Sequence, residues 1–72
     1  MNAPQTITLQ LDGRPRTLPA GSCLAELVAS LGHAPNAVST AVNGLFVSRG
    51  LRETRTLREG DAVLLFQPIV GG

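Results

Sequence analysis

Only one stretch of this chain has the spacing of a helix. Leu24, Leu27, Val28 and Leu31 fall at i, i+3, i+4 and i+7, an apolar stripe that needs a surface to lie on. No second helical pattern exists to supply it, so the stripe must face a sheet. A chain of 72 residues has room for one such core. Nothing staples it. The single cysteine, Cys23, has no internal partner, and with the single histidine, His33, it does not make a four-ligand zinc site. The fold must rest on its apolar residues, 43% of the chain. A core of this size supplies about 3–5 kcal/mol of net stability.

The sheet can be read on either side of the stripe. Thr6 to Leu11 alternates, with Ile7, Leu9 and Leu11 on one face and Thr6, Thr8 and Gln10 on the other, the pattern of a half-buried strand. Asp12-Gly13 is a two-residue hairpin turn, and Arg14 to Leu18 is the return strand. Pro15 has no N–H for a ladder, which puts that strand at a sheet edge. Pro19-Ala20-Gly21 ends it. Ser22 then stands where a helix N-cap is expected, with Cys23 at the first helical position. The helix spans about nine residues and stops at Gly32, with Pro35 beyond. Val38 to Val42 and Leu45 to Val47 form a second hairpin around Asn43-Gly44. Arg49 to Glu59 reads as irregular and polar, anchored by Leu51 and Leu57. Glu59-Gly60-Asp61 turns the chain into Ala62 to Phe66, whose unbroken apolar run predicts a central strand covered on both faces. The alternative is that one of its two residue sets, Ala62, Leu64 and Phe66 or Val63 and Leu65, is exposed as a docking patch. This order predicts an α+β fold, a single domain with a mixed β-sheet and one crossing helix, which is the β-grasp architecture. It occupies residues 1–72, with a flexible tail from about residue 67 to 72.

Charge and motif content exclude most function classes. Six arginines against five acids leave a net charge of +1, and no aromatic residues are interleaved with them, which argues against nucleic acid. No run approaches the ~20 apolar residues of a membrane span. The start Met1-Asn2-Ala3-Pro4-Gln5 has no basic, then apolar, leader pattern, so a cytoplasmic protein is expected. There is no GxxxxGK[ST] loop and no GxGxxG after a strand. The serines share one histidine, placed in a loop, so no nucleophilic triad is expected and no catalytic residue is assigned. His33 reads as a solvated post-helix residue, Cys23 as a small hydrophobe rather than a reactive thiol. Arg49, Arg52, Arg55 and Arg58 recur at every third residue. They read either as a partner-steering patch or, the favoured reading, as a solvated loop with Glu53 and Glu59 as counter-charges.

The chain's last residues, Gly71-Gly72, follow an apolar strand. Two glycines leave a terminal carboxylate without side chains beside it, so an enzyme site can approach the backbone closely. Six residues beyond Phe66 reach at most about 20 Å, enough to thread Gly72 into a pocket while the folded body docks outside. Phe66, Ile69 and Val70 are expected to contact the partner because they lie nearest the emerging tail. Pro68 would stiffen the exit and lower the entropy lost on threading.

The segment Leu64-Leu65-Phe66-Gln67-Pro68-Ile69-Val70-Gly71-Gly72 resembles the ending of the bacterial thiamin-biosynthesis sulfur carriers, the ThiS family. Ala41-Val42-Asn43-Gly44, Phe46-Val47-Ser48-Arg49 and Glu59-Gly60-Asp61 match the same family in order. The resemblance implies that the first and last strands run parallel at the sheet centre. It also implies a carrier rather than an enzyme, with no bound cofactor or metal. A ThiF-type adenylyltransferase would use ATP and magnesium to adenylate the Gly72 carboxylate. A sulfur donor such as a cysteine desulfurase would convert it to a thiocarboxylate, and thiazole synthase (ThiG) would take the sulfur. Gly71, Gly72, Phe66, Pro68, Ile69 and Val70 are the residues so implicated. Pro68 is also similar to the tail of the small subunit of molybdopterin synthase, a sister sulfur carrier. A ubiquitin-like conjugating modifier and a plain interaction module are the remaining readings. The absence of lysine has a bland explanation in arginine-favouring codons. Beside an activated carboxyl it would also spare the carrier self-acylation.

Overall fold

The alternation of Thr6–Leu11 becomes strand β1, with Leu9 fully buried and Thr6, Thr8 and Gln10 in water. A computed structural model describes residues 5–67. Strand β2, Arg14–Pro19, returns antiparallel to β1 across Asp12-Gly13. Both turn residues have positive φ, 52° and 83°, the mirror-image turn that suits the twist of a hairpin. Asn43 and Gly44 repeat it, with φ of 53° and 83°, between β3 (Ser39–Val42) and β4 (Leu45–Val47). Strand β5, Ala62–Phe66, runs parallel to β1 and antiparallel to β3. The described residues form one five-stranded sheet in the order β2-β1-β5-β3-β4. The proline-bearing β2 lies at an edge, as its missing donor requires, and the expected parallel pair sits at the centre.

Helix α1, Leu24–Ser30, buries Val28 and lays Leu24 and Leu27 on the core. Below them, Leu9, Leu18, Val42, Val47, Leu57 and Val63 complete one core. The helix is shorter than expected and its cap lies one residue later. Cys23, not Ser22, occupies the N-cap, and the Glu26 carboxylate accepts from the Cys23 N–H at 2.9 Å. The Ser22 hydroxyl instead donates to the Pro19 carbonyl at 2.6 Å and tightens the preceding turn. At the other end, the His33 N–H reaches the Val28 carbonyl and the Gly32 N–H reaches that of Ala29. Gly32 has φ of 84°, so the helix ends in a Schellman motif.

The segment from Arg49 to Glu59 departs from the expectation of a solvated loop. It opens with a 3₁₀ turn at Arg49–Leu51 and then runs past the start of α1. The Leu24 N–H donates to the Arg55 carbonyl at 2.9 Å, and the Ala25 N–H to that of Arg52 at 3.2 Å. The Leu57 N–H donates to the Ser22 carbonyl at 2.9 Å, and Cys23 bridges Thr56. Thus the loop satisfies first-turn donors that no helical carbonyl can reach. Leu57 anchors it, being 2% exposed; Leu51, the other expected anchor, is 59% exposed.

Candidate functional site

Strand β5 leads into the tail, and two turn residues hold it. The Asp12 carboxylate accepts from the Leu65 N–H at 3.1 Å, and the Asp12 N–H donates to the Val63 carbonyl at 2.9 Å. Asn43 does the same at the other flank. Its side-chain oxygen accepts from the Ala62 N–H at 2.9 Å, and its own N–H donates to the Ala62 carbonyl at 2.7 Å. The β1–β5 ladder is short, pairing Gln10 with Ala62 and Leu11 with Val63. Past it, Asp12 replaces a strand partner for the next β5 donor. Asp61 braces the entry, accepting from Asn43 at 3.0 Å and from the Arg58 N–H at 2.9 Å.

The two faces of β5 differ, which corrects the expectation of a strand covered on both. Val63 is buried under the helix, whereas Ala62, Leu64 and Phe66 face outward. Of the two sets weighed from sequence, the structure exposes this one. Leu64 is 49% exposed and Phe66 47%. In register beside Leu64 stand Ala41 of β3 and then Phe46 of β4, itself 66% exposed. This face is therefore divided. Over β1 and β2 it is polar, with the Thr8 and Thr17 hydroxyls 3.4 Å apart. Over β5, β3 and β4 it is an apolar strip ending at Phe66, where the chain leaves the sheet. Sequence reasoning found Phe66 but not Phe46. The available signal was three consecutive apolar residues in a three-residue strand, since alternate side chains must point to opposite faces.

Pro68, Ile69, Val70, Gly71 and Gly72 lie outside the described residues. Among those described, no group of three His, Cys, Asp or Glu side chains is placed to hold a metal ion. No described helix is long and apolar enough to cross a membrane.

The arginine series is not one patch. Arg52 is buried, and its guanidinium donates to the Thr40 hydroxyl at 3.1 Å and to the carbonyls of Pro35 at 2.7 Å and Val38 at 2.6 Å. Burial, and secondarily the charge of Arg49, lowers its pKa from the ordinary arginine value. The expected counter-charge Glu59 is turned away, accepting from the Thr8 N–H at 2.9 Å.

A β-grasp sheet with one helix on one face and an apolar strip beside the exit of its last strand makes this a ubiquitin-like domain. Residues 6–72 match the model of the ThiS family, and the chain belongs to that family. These are small sulfur carriers of thiamin biosynthesis rather than catalysts. The crystal structure of the thiamine biosynthesis protein ThiS from Geobacter metallireducens is 28% identical and superposes with a TM-score of 0.80. The match covers 92% of this chain and 100% of that one. The solution NMR structure of a thiamine biosynthesis protein from the same organism is also 28% identical, with a TM-score of 0.70 over 92% and 88% of the two chains. A comparison with curated protein sequences finds no match.

Proposed function

We propose that this chain carries sulfur on its Gly72 carboxylate for assembly of the thiamin thiazole. A carboxylate is a poor electrophile until its oxygen is made a good leaving group. A ThiF-type adenylyltransferase would supply that step: the Gly72 oxygen attacks the α-phosphorus of magnesium-bound ATP, pyrophosphate departs, and an acyl-adenylate forms. The persulfide of a donor such as a cysteine desulfurase then displaces AMP to give an acyl disulfide, and a thiol reductant cleaves its S–S bond to leave the thiocarboxylate. Thiazole synthase (ThiG) accepts that sulfur. Gly71 and Gly72 thread the partner's site, while Phe66, Pro68, Ile69 and Val70 meet its mouth.

The observation that carries the reading is the ThiS-family match, which runs to residue 72. The apolar strip supports it, because Leu64 and Phe66 stand exposed at the root of the tail, where a partner engaging Gly72 would meet the folded body. The chain itself would contribute position, not catalysis.

The test is an intact mass after incubation with the adenylating enzyme, ATP, magnesium and a sulfur donor. The expected product is heavier by the difference between one sulfur and one oxygen, localised to Gly72. Deleting Gly71 and Gly72 should abolish it while far-UV circular dichroism stays unchanged. Offering the loaded carrier to thiazole synthase and to the large subunit of molybdopterin synthase separates the two sulfur pathways. Higher-mass adducts on other proteins would instead indicate a conjugating modifier.

A further inference from the structure

The acids of this chain are almost all spent on the backbone. Asp12, Glu26, Glu59 and Asp61 accept from the N–H groups of Leu65, Cys23, Thr8 and Arg58, at 2.9–3.1 Å. Only Glu53 of the five acids lacks such a bond. The arginines are left without the counter-charges their spacing suggested. Arg55 shows this most clearly: its Nε is sealed from solvent yet has no hydrogen-bond partner.

Arg55 sits at the junction of two depressions. One, of about 310 Å³, is apolar and lies beside β4, lined by Leu45, Phe46, Val47, Leu51, Thr54 and Arg55 above Val42. The other, of about 490 Å³, is polar and includes Thr54, Arg55 and Arg58, with Asp61 at its border. Both are lined by Thr54 and Arg55, so an apolar and a cationic depression adjoin there, together called the groove. Leu45 is 71% exposed and Leu51 59%, large apolar areas for so small a surface. The Asp61 carboxylate lines the same depression and offsets one of the two guanidinium charges, which leaves this end net positive.

We propose that this groove is a second docking surface, for a short acidic and aliphatic segment of a partner protein. The aliphatic side chains would cover Leu45 and Leu51, and the carboxylates would meet the Arg55 and Arg58 guanidiniums. A second copy of this chain is a poor occupant. It would bring the same arginines to the same groove, and its net charge is +1. The cationic end of the groove lies by the start of β5, near Asn43 and Asp61, at the end of that strand opposite Phe66, while its apolar end reaches Phe46. A partner seated there leaves the root of the tail uncovered. The inference does not depend on the chemistry of Gly72 and stands or falls separately from it.

The test is a titration of the full-length, ¹⁵N-labelled protein with a blocked hexapeptide of alternating glutamate and leucine. A lysine-for-glutamate version serves as control. Saturable shifts at the amides of Leu51, Thr54, Arg55 and Arg58 and at the Arg55 Nε–H are expected with the acidic peptide only. Arg58→Ala and Leu51→Ser should each weaken binding about fivefold. Arg55→Glu with Arg58→Glu should reverse the preference towards the lysine peptide; if that variant loses amide dispersion, the two single changes carry the test. Equal response to both peptides, shifts confined to Leu64 and Phe66, no saturable shift, or concentration-dependent self-association at this groove would each overturn the proposal.

Discussion

Arg52 bears more of the fold than its place in a polar loop suggests. Its three hydrogen bonds tie the 49–58 loop to Pro35, Val38 and Thr40, across the segment that enters β3. Thr40, fully buried, both accepts from Arg52 and donates to the Val47 carbonyl at 2.9 Å, extending the tie to β4. Arg52→Ala should cost about 3 kcal/mol, because it leaves the buried Val38 carbonyl without a donor, takes one bond from the buried Thr40 hydroxyl and frees the Pro35 carbonyl. Against a net stability of about 3–5 kcal/mol, that leaves the variant near its midpoint at room temperature. Arg52→Lys keeps the charge but loses the planar fork, and should cost about 1–2 kcal/mol. The chain has no Trp or Tyr, so urea melts followed by far-UV circular dichroism are the measurement. The lowered pKa makes a further point. The unfolded state holds the Arg52 proton more tightly, so this linkage raises stability with pH only in the alkaline range where arginine titrates. Arg52→Ala and the parent should therefore differ by the same amount between about pH 6 and 9. A spacing of three in the sequence could not single out this arginine, since its acceptors lie 12 to 17 residues away.

Among elements, the hairpins were legible and the loop was not. Asp12-Gly13 and Asn43-Gly44 declare their turns because few residue pairs accept positive φ twice. What they do beyond turning, which is to satisfy β5 donors with their side chains, follows only from bringing residues 12 and 65 together. Asp12→Ala should therefore cost about 1–2 kcal/mol and speed amide exchange at Leu65 about tenfold, read by hydrogen-exchange NMR. Asp12→Asn retains the acceptor and the left-handed preference, and should show little of either effect. The helix start misread by one residue has the same origin. Ser22 is the better N-cap by chemistry, but Leu57 claims the Ser22 carbonyl and Thr56 bridges Cys23, which fixes the register from outside the helix. Cys23→Ser places a preferred cap at the position the loop imposes, and should stabilise the protein by about 0.5–1 kcal/mol. A loss of sulfur loading in that variant would show that the thiol has a chemical role.

At the scale of the whole molecule, one helix for a five-stranded sheet leaves a face uncovered, and the sequence states this arithmetic plainly. It does not state which residues of an unbroken apolar strand occupy that face. Pairing decides it: Val63 aligns with Val42 under the helix, which turns Leu64 and Phe66 out beside Ala41 and Ser39. If the strip is the surface that the adenylating enzyme holds, stability and transfer should separate by face. Leu64→Ser removes apolar area that water already half covers, so it should change stability by less than about 1 kcal/mol. It should also lower kcat/KM for adenylation of the carrier about tenfold or more. Val63→Ala, under the helix and 1% exposed, should behave oppositely: about 1–2 kcal/mol less stable, with transfer per folded molecule unchanged. Thr8→Ala, on the polar half of the same face, controls for any change there, and should leave kcat/KM within about twofold. Leu64→Ser turning over like the parent would remove the strip from the docking surface and leave recognition to the tail alone.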